Sequence, residues 1–281
     1  MMKTMAKPLI ILDSGHCEKV SGKQAPDGSM REWEFNNDMQ YRLKQRLEQH
    51  GFEVYLTNPS PKGKDEIGLT KRTQLANNHW ISKGRPNALF ISLHANAYGM
   101  WSTANGVEVF YAANASTRSK NCAKVMCKHI HAALKKLRPD SVNRGVKCEN
   151  FTVIYKTILP AILVEYAFYT NKKDLAILKN NRAELCEATV KALCESFNIT
   201  YKPRTVQPVQ PVQPNDSFKV KIIYKGKEGL NIREKASYNS KVVGQVHEGE
   251  VFTIVETKNN MGRLKSNLGW ISLSDKYVKK V

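Results

Sequence analysis

The sequence predicts an α/β domain followed by a small all-β one: a mostly parallel or mixed six-stranded sheet with helices on both faces, then a small barrel. Three observations carry this expectation. Before residue 201, short runs rich in branched and aromatic residues alternate with segments of helical periodicity, the pattern of a sheet covered on both sides. At Tyr201 to Asp216, YKPRTVQPVQPVQPND, the triplet Val-Gln-Pro occurs three times, and regularly spaced prolines remove backbone donors and favour an extended spacer. Beyond it, short strand-like runs are separated by glycine turns, with no helix of useful length. A chain of 281 residues suits two unequal domains if each takes roughly 100–200 residues. The expected division is residues 1–200, a Pro-rich linker at 201–216, and residues 217–281.

Strands are expected at Pro8 to Leu12, Phe52 to Thr57, Ala88 to His94, Val107 to Ala112, Phe151 to Thr157 and Ala161 to Glu165, each short and rich in branched or aromatic residues. Between the first two, Trp33 to His50 places Phe35, Met39, Leu43 and Leu47 four residues apart on one helical face, and Gly51 is its natural stop. Thr70 to Ser82, Ser116 to Leu137, Lys172 to Lys179 and Arg182 to Phe197 read as further helices. In the C-terminal part, strands are expected at Val220 to Tyr224, Leu230 to Arg233, Lys241 to Val246, Val251 to Val255, Arg263 to Ser266 and Gly269 to Leu273.

Composition narrows the class. Hydrophobic residues make up 41% and charged residues 25%, so the chain can bury a core and is neither disordered nor fibrous. No apolar run approaches the roughly 20 residues that span a bilayer, so membrane insertion is not expected. The N-terminal MMKTMAKPLIILDSGH has a shorter apolar stretch than the roughly 7–15 residues of a signal peptide and no small-residue cleavage site. It reads as a buried strand, and synthesis in the cytoplasm is expected. The six cysteines, Cys17, Cys122, Cys127, Cys148, Cys186 and Cys194, form no Cys-x-x-Cys pair, unlike a zinc ribbon or disulfide scaffold. Lys and Arg total 44 against 25 Asp and Glu, a net charge of +19, which predicts an anionic partner. No recognisable nucleic-acid motif accompanies that charge.

Two expected strands deliver a histidine at the carboxyl end: Leu12-Asp13-Ser14-Gly15-His16 and Phe90-Ile91-Ser92-Leu93-His94. Open α/β sheets place their sites at that edge. A lone histidine after a strand is more often structural, but two in the same topological place can converge on one ion, and neutral imidazole is a good zinc ligand. A third, oxygen ligand is needed. Glu32, at the start of the following helix, is the best placed, with Glu34 its rival and Glu18 a further substitute. Glu165 closes the apolar run Pro160-Ala161-Ile162-Leu163-Val164. A carboxylate there needs a partner, a metal-bound water or solvent, and beside a metal-activated water it fits a general acid/base.

These residues carry a resemblance. Residues 9–196 are similar to the zinc-dependent N-acetylmuramoyl-L-alanine amidases of bacterial autolysins and phage endolysins. The match runs through Asp13-Ser14-Gly15-His16, Glu32 with Asn36, Leu69-Thr70-Lys71-Arg72 with Ala76-Asn77, Ser92 to Ala97, and Ala161 to Glu165 followed by Thr170-Asn171. The resemblance implies one Zn²⁺ held by His16, Glu32 and His94, Glu165 as the catalytic carboxylate, and Arg72 as an arginine that orients a carboxylate of the stem peptide. It departs from the family in Cys17-Glu18, where Gly-Gly is common, and in Ser14, where proline is common. Neither change removes an implied ligand, and Cys17 reads as a packing or idle loop residue.

Residues 218–281 resemble the bacterial Src-homology-3-like domain through Gly229-Leu230-Asn231-Ile232-Arg233-Glu234, Ser240 to Gly244, and Gly269-Trp270-Ile271. That likeness implies binding to peptidoglycan or its cross-bridges, with Tyr224, Tyr238 and Trp270 as candidate contacts. The expected partner is therefore bacterial peptidoglycan and the anionic cell wall, reached after release from the cytoplasm. Two rival readings stand beside the amidase: a zinc carboxypeptidase or other amidohydrolase, and a wall-binding protein without catalysis.

Overall fold

A computed structural model describes residues 7–204, 217–226, 228–266 and 268–281. The Val-Gln-Pro repeats lie outside the described residues. The chain divides into two compact units, Met1–Arg204 and Thr205–Val281.

In the first unit the order is β1 (Leu9–Ser14), α1 (Glu32–Gln49), β2 (Glu53–Leu56), α2 (Leu69–Ser82), β3 (Ala88–Asn96), β4 (Val107–Tyr111), α3 (Thr117–Leu137), β5 (Asn143–Cys148), α4 (Thr152–Tyr155), β6 (Ala161–Phe168), α5 (Lys172–Asn180) and α6 (Arg182–Phe197). The six strands form one mixed sheet in the order β2-β1-β3-β6-β4-β5. Neighbours run parallel except β4 against β6, which are antiparallel. The central strands are apolar on both faces because both are covered, as parallel strands require.

Alternation along the strands divides the core in two. Ile10, Leu12, Leu89, Ile91, Ile162 and Val164 point to one side, where they pack with α1, α3, α5 and α6. Leu9, Ile11, Ala88, Phe90, Ala161 and Leu163 point to the other, where Ala76 of α2 and Val153 and Ile154 of α4 meet them. Helix α1 buries Phe35, Met39, Leu43 and Leu47 on its inner face, as its periodicity predicts.

One expectation for this unit needs correction, and one strand was not expected. Phe151 to Thr157 is not a strand: Thr152–Tyr155 is the short helix α4. Its apolar run exists because Val153 and Ile154 plug the second core layer, and short apolar runs do not distinguish strand from helix. The strand in that part of the chain is β5, Asn-Arg-Gly-Val-Lys-Cys. This sheet-edge strand is half-exposed and polar, with a left-handed Gly145 at φ 81°, so it carries no apolar signal.

The second unit is all antiparallel: β7 (Phe218–Ile222), β8 (Leu230–Arg233), β9 (Val242–Val246), β10 (Val251–Lys258), β11 (Met261–Leu264), β12 (Trp270–Ser272) and β13 (Val278–Lys280), in the order β13-β7-β10-β11-β12-β8-β9. Its core is Val220, Ile222, Ile232, Ile254, Leu264 and Ile271 with their neighbours. The β10–β11 hairpin turns on Asn259 and Asn260, both left-handed at φ 53° and 58°, as a two-residue hairpin loop demands. This places β11 two residues before the expected Arg263 to Ser266, and β13 is a strand that the sequence pattern did not disclose. No helix among the described residues is long and apolar enough to cross a membrane.

Candidate metal and active site

Strand register builds the site. His94 on β3 lies beside Glu165 on β6, and Glu165 lies beside Glu108 on β4. By alternation these three, with Asp13 and Ser92, share the face that α2 and α4 cover. His16 enters from the loop after β1. Its φ is 63°, a left-handed conformation uncommon outside glycine, and Asn58 Nδ2 pins that loop by donating to the carbonyls of Ser14 at 3.1 Å and His16 at 3.2 Å.

Glu32 is the first residue of α1 and is buried. Its Oε1 accepts from the Ala95 backbone N–H at 3.3 Å and lies 2.8 Å from His94 Nδ1, while Oε2 lies 3.4 Å from His16 Nε2. Asn36, one turn on, donates from Nδ2 to Glu32 Oε1 at 3.4 Å and to the Gly15 carbonyl at 3.0 Å, tying helix to loop. The rivals are engaged elsewhere. Glu34 accepts from the Arg31 backbone N–H in a capping interaction, and Glu18 accepts from the Gly63 backbone N–H.

One donor atom from each of His16, Glu32 and His94 can be chosen so that all lie within 4.8 Å of one another. Tetrahedral zinc with bonds of about 2.0–2.1 Å separates its ligand atoms by about 3.4 Å, the separation found between His16 Nε2 and Glu32 Oε2. Protonation states also fit. Burial keeps His16 below the usual imidazole range, outweighing the upward pull of Glu32. Burial would raise Glu32, but the hydrogen bond and charge of His94 and the charge of His16 hold it below its ordinary value. A neutral histidine and an ionised glutamate are the forms that ligate a cation.

Glu165 sits in the same open cavity, of about 450 Å³, which His16, Glu32, His94, Phe151 and Tyr169 also line. Its Oε2 is buried without a hydrogen-bond partner. Burial, then the charges of Glu32 and Glu108, push its pKa well above the carboxylate range. Glu108 is kept ionised by contrast: its own burial is outweighed by Lys147, Arg144 and Asn96, which donate to it.

Arg72 is placed differently from the expected substrate contact. It is 1% exposed, and its fork closes on Asp13, with Nε donating to Oδ1 at 2.8 Å and Nη2 to Oδ2. Ser92 Oγ and Thr57 Oγ1 also donate to Asp13. Arg72 is thus a buried anchor under the β1 edge rather than a group facing the cavity. Cys17 is buried, with Sγ 3.5 Å from Asn58 Nδ2, and packs the loop. Sequence reasoning missed two acidic residues near the site, Glu108 and Glu66, the latter with Oε1 3.3 Å from His16 Nδ1. A lone acid inside the apolar strand Val107–Tyr111 was a legible signal for Glu108. Glu66 lies in a loop with no pattern around it.

Two histidines and two carboxylates gather at the carboxyl edge of a mixed α/β sheet, where open sheets place their sites, and His16, Glu32 and His94 form a group that could hold a metal ion. Residues 10–195 match the N-acetylmuramoyl-L-alanine amidase family, and the chain belongs to that family. It is 27% identical over 281 residues to the endolysin of Bacillus phage SPP1, covering 96% of this chain and 97% of that protein. To the N-acetylmuramoyl-L-alanine amidase LytC of Bacillus subtilis (strain 168) it is 32% identical over 171 residues, covering 60% of this chain and 31% of LytC. Among solved structures, the catalytic domain of the amidase CwlV from Bacillus (Paenibacillus) polymyxa var. colistinus aligns with a TM-score of 0.59 at 28% identity. That alignment covers 69% of this chain and 100% of the domain.

Proposed function

We propose that this protein hydrolyses the amide bond between N-acetylmuramic acid and the L-alanine of the stem peptide, with one Zn²⁺ held by His16, Glu32 and His94. The observation that carries the reading is the unpartnered Oε2 of Glu165, buried beside three converging donors in a chain of the amidase family. When bound, the ion supplies a Lewis acid for the scissile carbonyl and eases deprotonation of a water. Glu165 accepts the proton of the attacking water at its carboxylate and returns it to the departing L-alanine nitrogen. Burial and the neighbouring carboxylates favour the protonated form, which suits the donating half of that cycle. Glu32 compensates the positive charge between the two histidines, and Phe151 gives the cavity an apolar wall. Arg72 takes no part in substrate binding in this reading.

Residues 217–281 act as a Src-homology-3-like module that holds the enzyme on the wall. The full-length likeness to an endolysin supports this, because an alignment covering 96% of the chain takes in the second unit. The protein then works as an endolysin or autolysin on peptidoglycan, after release from the cytoplasm.

Glu165→Gln tests the chemistry. The folded, zinc-loaded variant binds walls but loses on the order of 10²–10⁴-fold in rate, read by mass spectrometry of the digest as missing stem peptides with a free L-alanine amino group. A metal-loaded variant that releases them at the wild-type rate would exclude Glu165 as the proton carrier. Products cut within the stem peptide, with the lactyl amide intact, would favour the carboxypeptidase instead.

A further inference from the structure

The ring of His16 has two nitrogens, and the ligand reading uses one. Nε2 faces Glu32 at 3.4 Å; Nδ1 is buried without a hydrogen bond, and the carboxylate that faces it is Glu66, whose Oε1 lies at charge-pair distance, 3.3 Å. Glu66 belongs to the segment between β2 and α2, just before the Leu69-Thr70-Lys71-Arg72 motif, and its side chain is one-third exposed. The same Oε1 lies 3.6 Å from Arg72 Nη1. Arg72 cannot wander, because its Nε and Nη2 are committed to Asp13, which is fully buried and also accepts from Ser92. A chain of contacts therefore runs from the β1–β3 core through the hydrogen-bonded Asp13–Arg72 pair to Glu66 and His16, which it meets at charge-pair distances.

We infer that Glu66 is a positioning residue for His16: its carboxylate, steered by Arg72, takes the Nδ1 side of the imidazole and leaves Nε2 for the cation. A histidine ligand needs its tautomer fixed, and a carboxylate on the opposite nitrogen both fixes it and raises the basicity of the ligating one. His16 needs such help more than His94. It sits in a loop at φ 63°, whereas His94 is held on the central strand β3. Only Glu66 and Glu32 are acidic partners of the His16 ring among the described residues, and Glu32 is used as a ligand. Arg72 thereby acts as the hub that aims Glu66, without touching substrate.

The role of Glu66 rests on the ligand set proposed above, and the two are separable because zinc affinity is measured without turnover. Zn²⁺ binding to the full chain is followed by chelator competition for wild type, Glu66→Ala and Glu66→Gln. Outer carboxylates of this kind are typically worth about 10- to 100-fold in metal affinity, and Glu66→Ala loses that much. Its kcat at limiting zinc falls with occupancy, added zinc restores it, and KM is unchanged. Glu66→Gln, whose amide oxygen can accept from Nδ1–H once the ring is held by the cation, stays within a few-fold of wild type. The metal-free forms of all three melt together, since the charge pairs of a one-third-exposed carboxylate contribute little to stability. Wild-type zinc affinity in Glu66→Ala overturns the inference, and so does a Gln variant as weak as the Ala variant. A wild-type chain that binds no zinc would instead sink the ligand set itself.

Discussion

Replacing Gly15 by Ala adds one methyl group, and the structure fixes where it lands. A Cβ on Gly15 would lie 2.1 Å from His94 Cε1, 2.5 Å from Nε2 and 2.6 Å from Nδ1. Carbon atoms settle at roughly 3.5–4.0 Å, so the imidazole must retreat by about 1.4 Å or more. The backbone at Gly15 is not left-handed and accepts alanine without strain. The obstacle is a side chain at the end of β3, which can swing aside, so the fold survives at an overpacking cost of about 1–3 kcal/mol. The site does not survive, because ligands work within about 0.5 Å of their productive geometry, and a misplacement of about 1 Å can cost on the order of 10²-fold. The expected Gly15→Ala protein is folded, loses zinc to a chelator far sooner than wild type, and releases L-alanine amino groups at least about 100-fold more slowly. Circular dichroism, chelator competition and peptidoglycan digestion on one preparation decide it. Wild-type zinc affinity and rate would refute the packing of His94 on Gly15, and with it the proposed arrangement of ligands.

Chelation of the wild-type enzyme abolishes activity while the far-ultraviolet spectrum persists, and Zn²⁺ restores the rate; activity that survives exhaustive chelation excludes the metal. Arg72→Ala leaves Asp13 buried without its cation and costs about 3–5 kcal/mol in equilibrium unfolding; a loss below about 1 kcal/mol, the scale of an exposed pair, contradicts the anchor. Burial alone would raise the Asp13 pKa, but Arg72, Thr57 and Ser92 hold it below 3.8. Its contribution to stability is therefore fully present above that value and is lost as pH falls through the lower folded pKa. In Arg72→Ala, desolvation is no longer outweighed, and acid unfolding begins at higher pH. A fragment ending at Arg204 folds, keeps zinc and cuts soluble muropeptides, yet is retained less by whole walls than the full chain; equal retention removes the targeting role from residues 217–281.

The parts of the fold legible in the sequence were those that bury one face or both. Helix α1 announced itself because Phe35, Met39, Leu43 and Leu47 must all reach the same core, and β1, β3 and β6 did so because both of their faces are covered. Edge elements escaped for the converse reason. Strand β5 is half-exposed and polar, and β13 buries only Val278 of its three residues, so neither had an apolar pattern to show. In the candidate site, His16, His94 and Glu165 stood out as polar residues following apolar runs, although β6 continues past Glu165 to Phe168. Arg72 was legible as a motif, but its pairing with the buried Asp13 was not, since the two lie 59 residues apart in the chain. Glu66 had neither pattern nor motif, because its place is set by loop geometry alone.

The buried charges of the first unit argue together for where the chemistry lies. Asp13 is closed by Arg72, Glu108 by Arg144 and Lys147, and Asp174 by Arg138 at 2.7 Å. Each pair offsets a desolvation cost that would otherwise be several kcal/mol per ion. Glu165 departs from this rule. Among the described residues its Oε2 is the carboxylate oxygen left buried without a hydrogen-bond partner, though a lysine or arginine opposite β6 would have compensated it as easily as Arg144 compensates Glu108 on the next strand. Leaving it unpaired beside His16, Glu32 and His94 lets its protonation follow the charge of whatever the cavity holds, which is the property a proton carrier needs and a structural carboxylate does not.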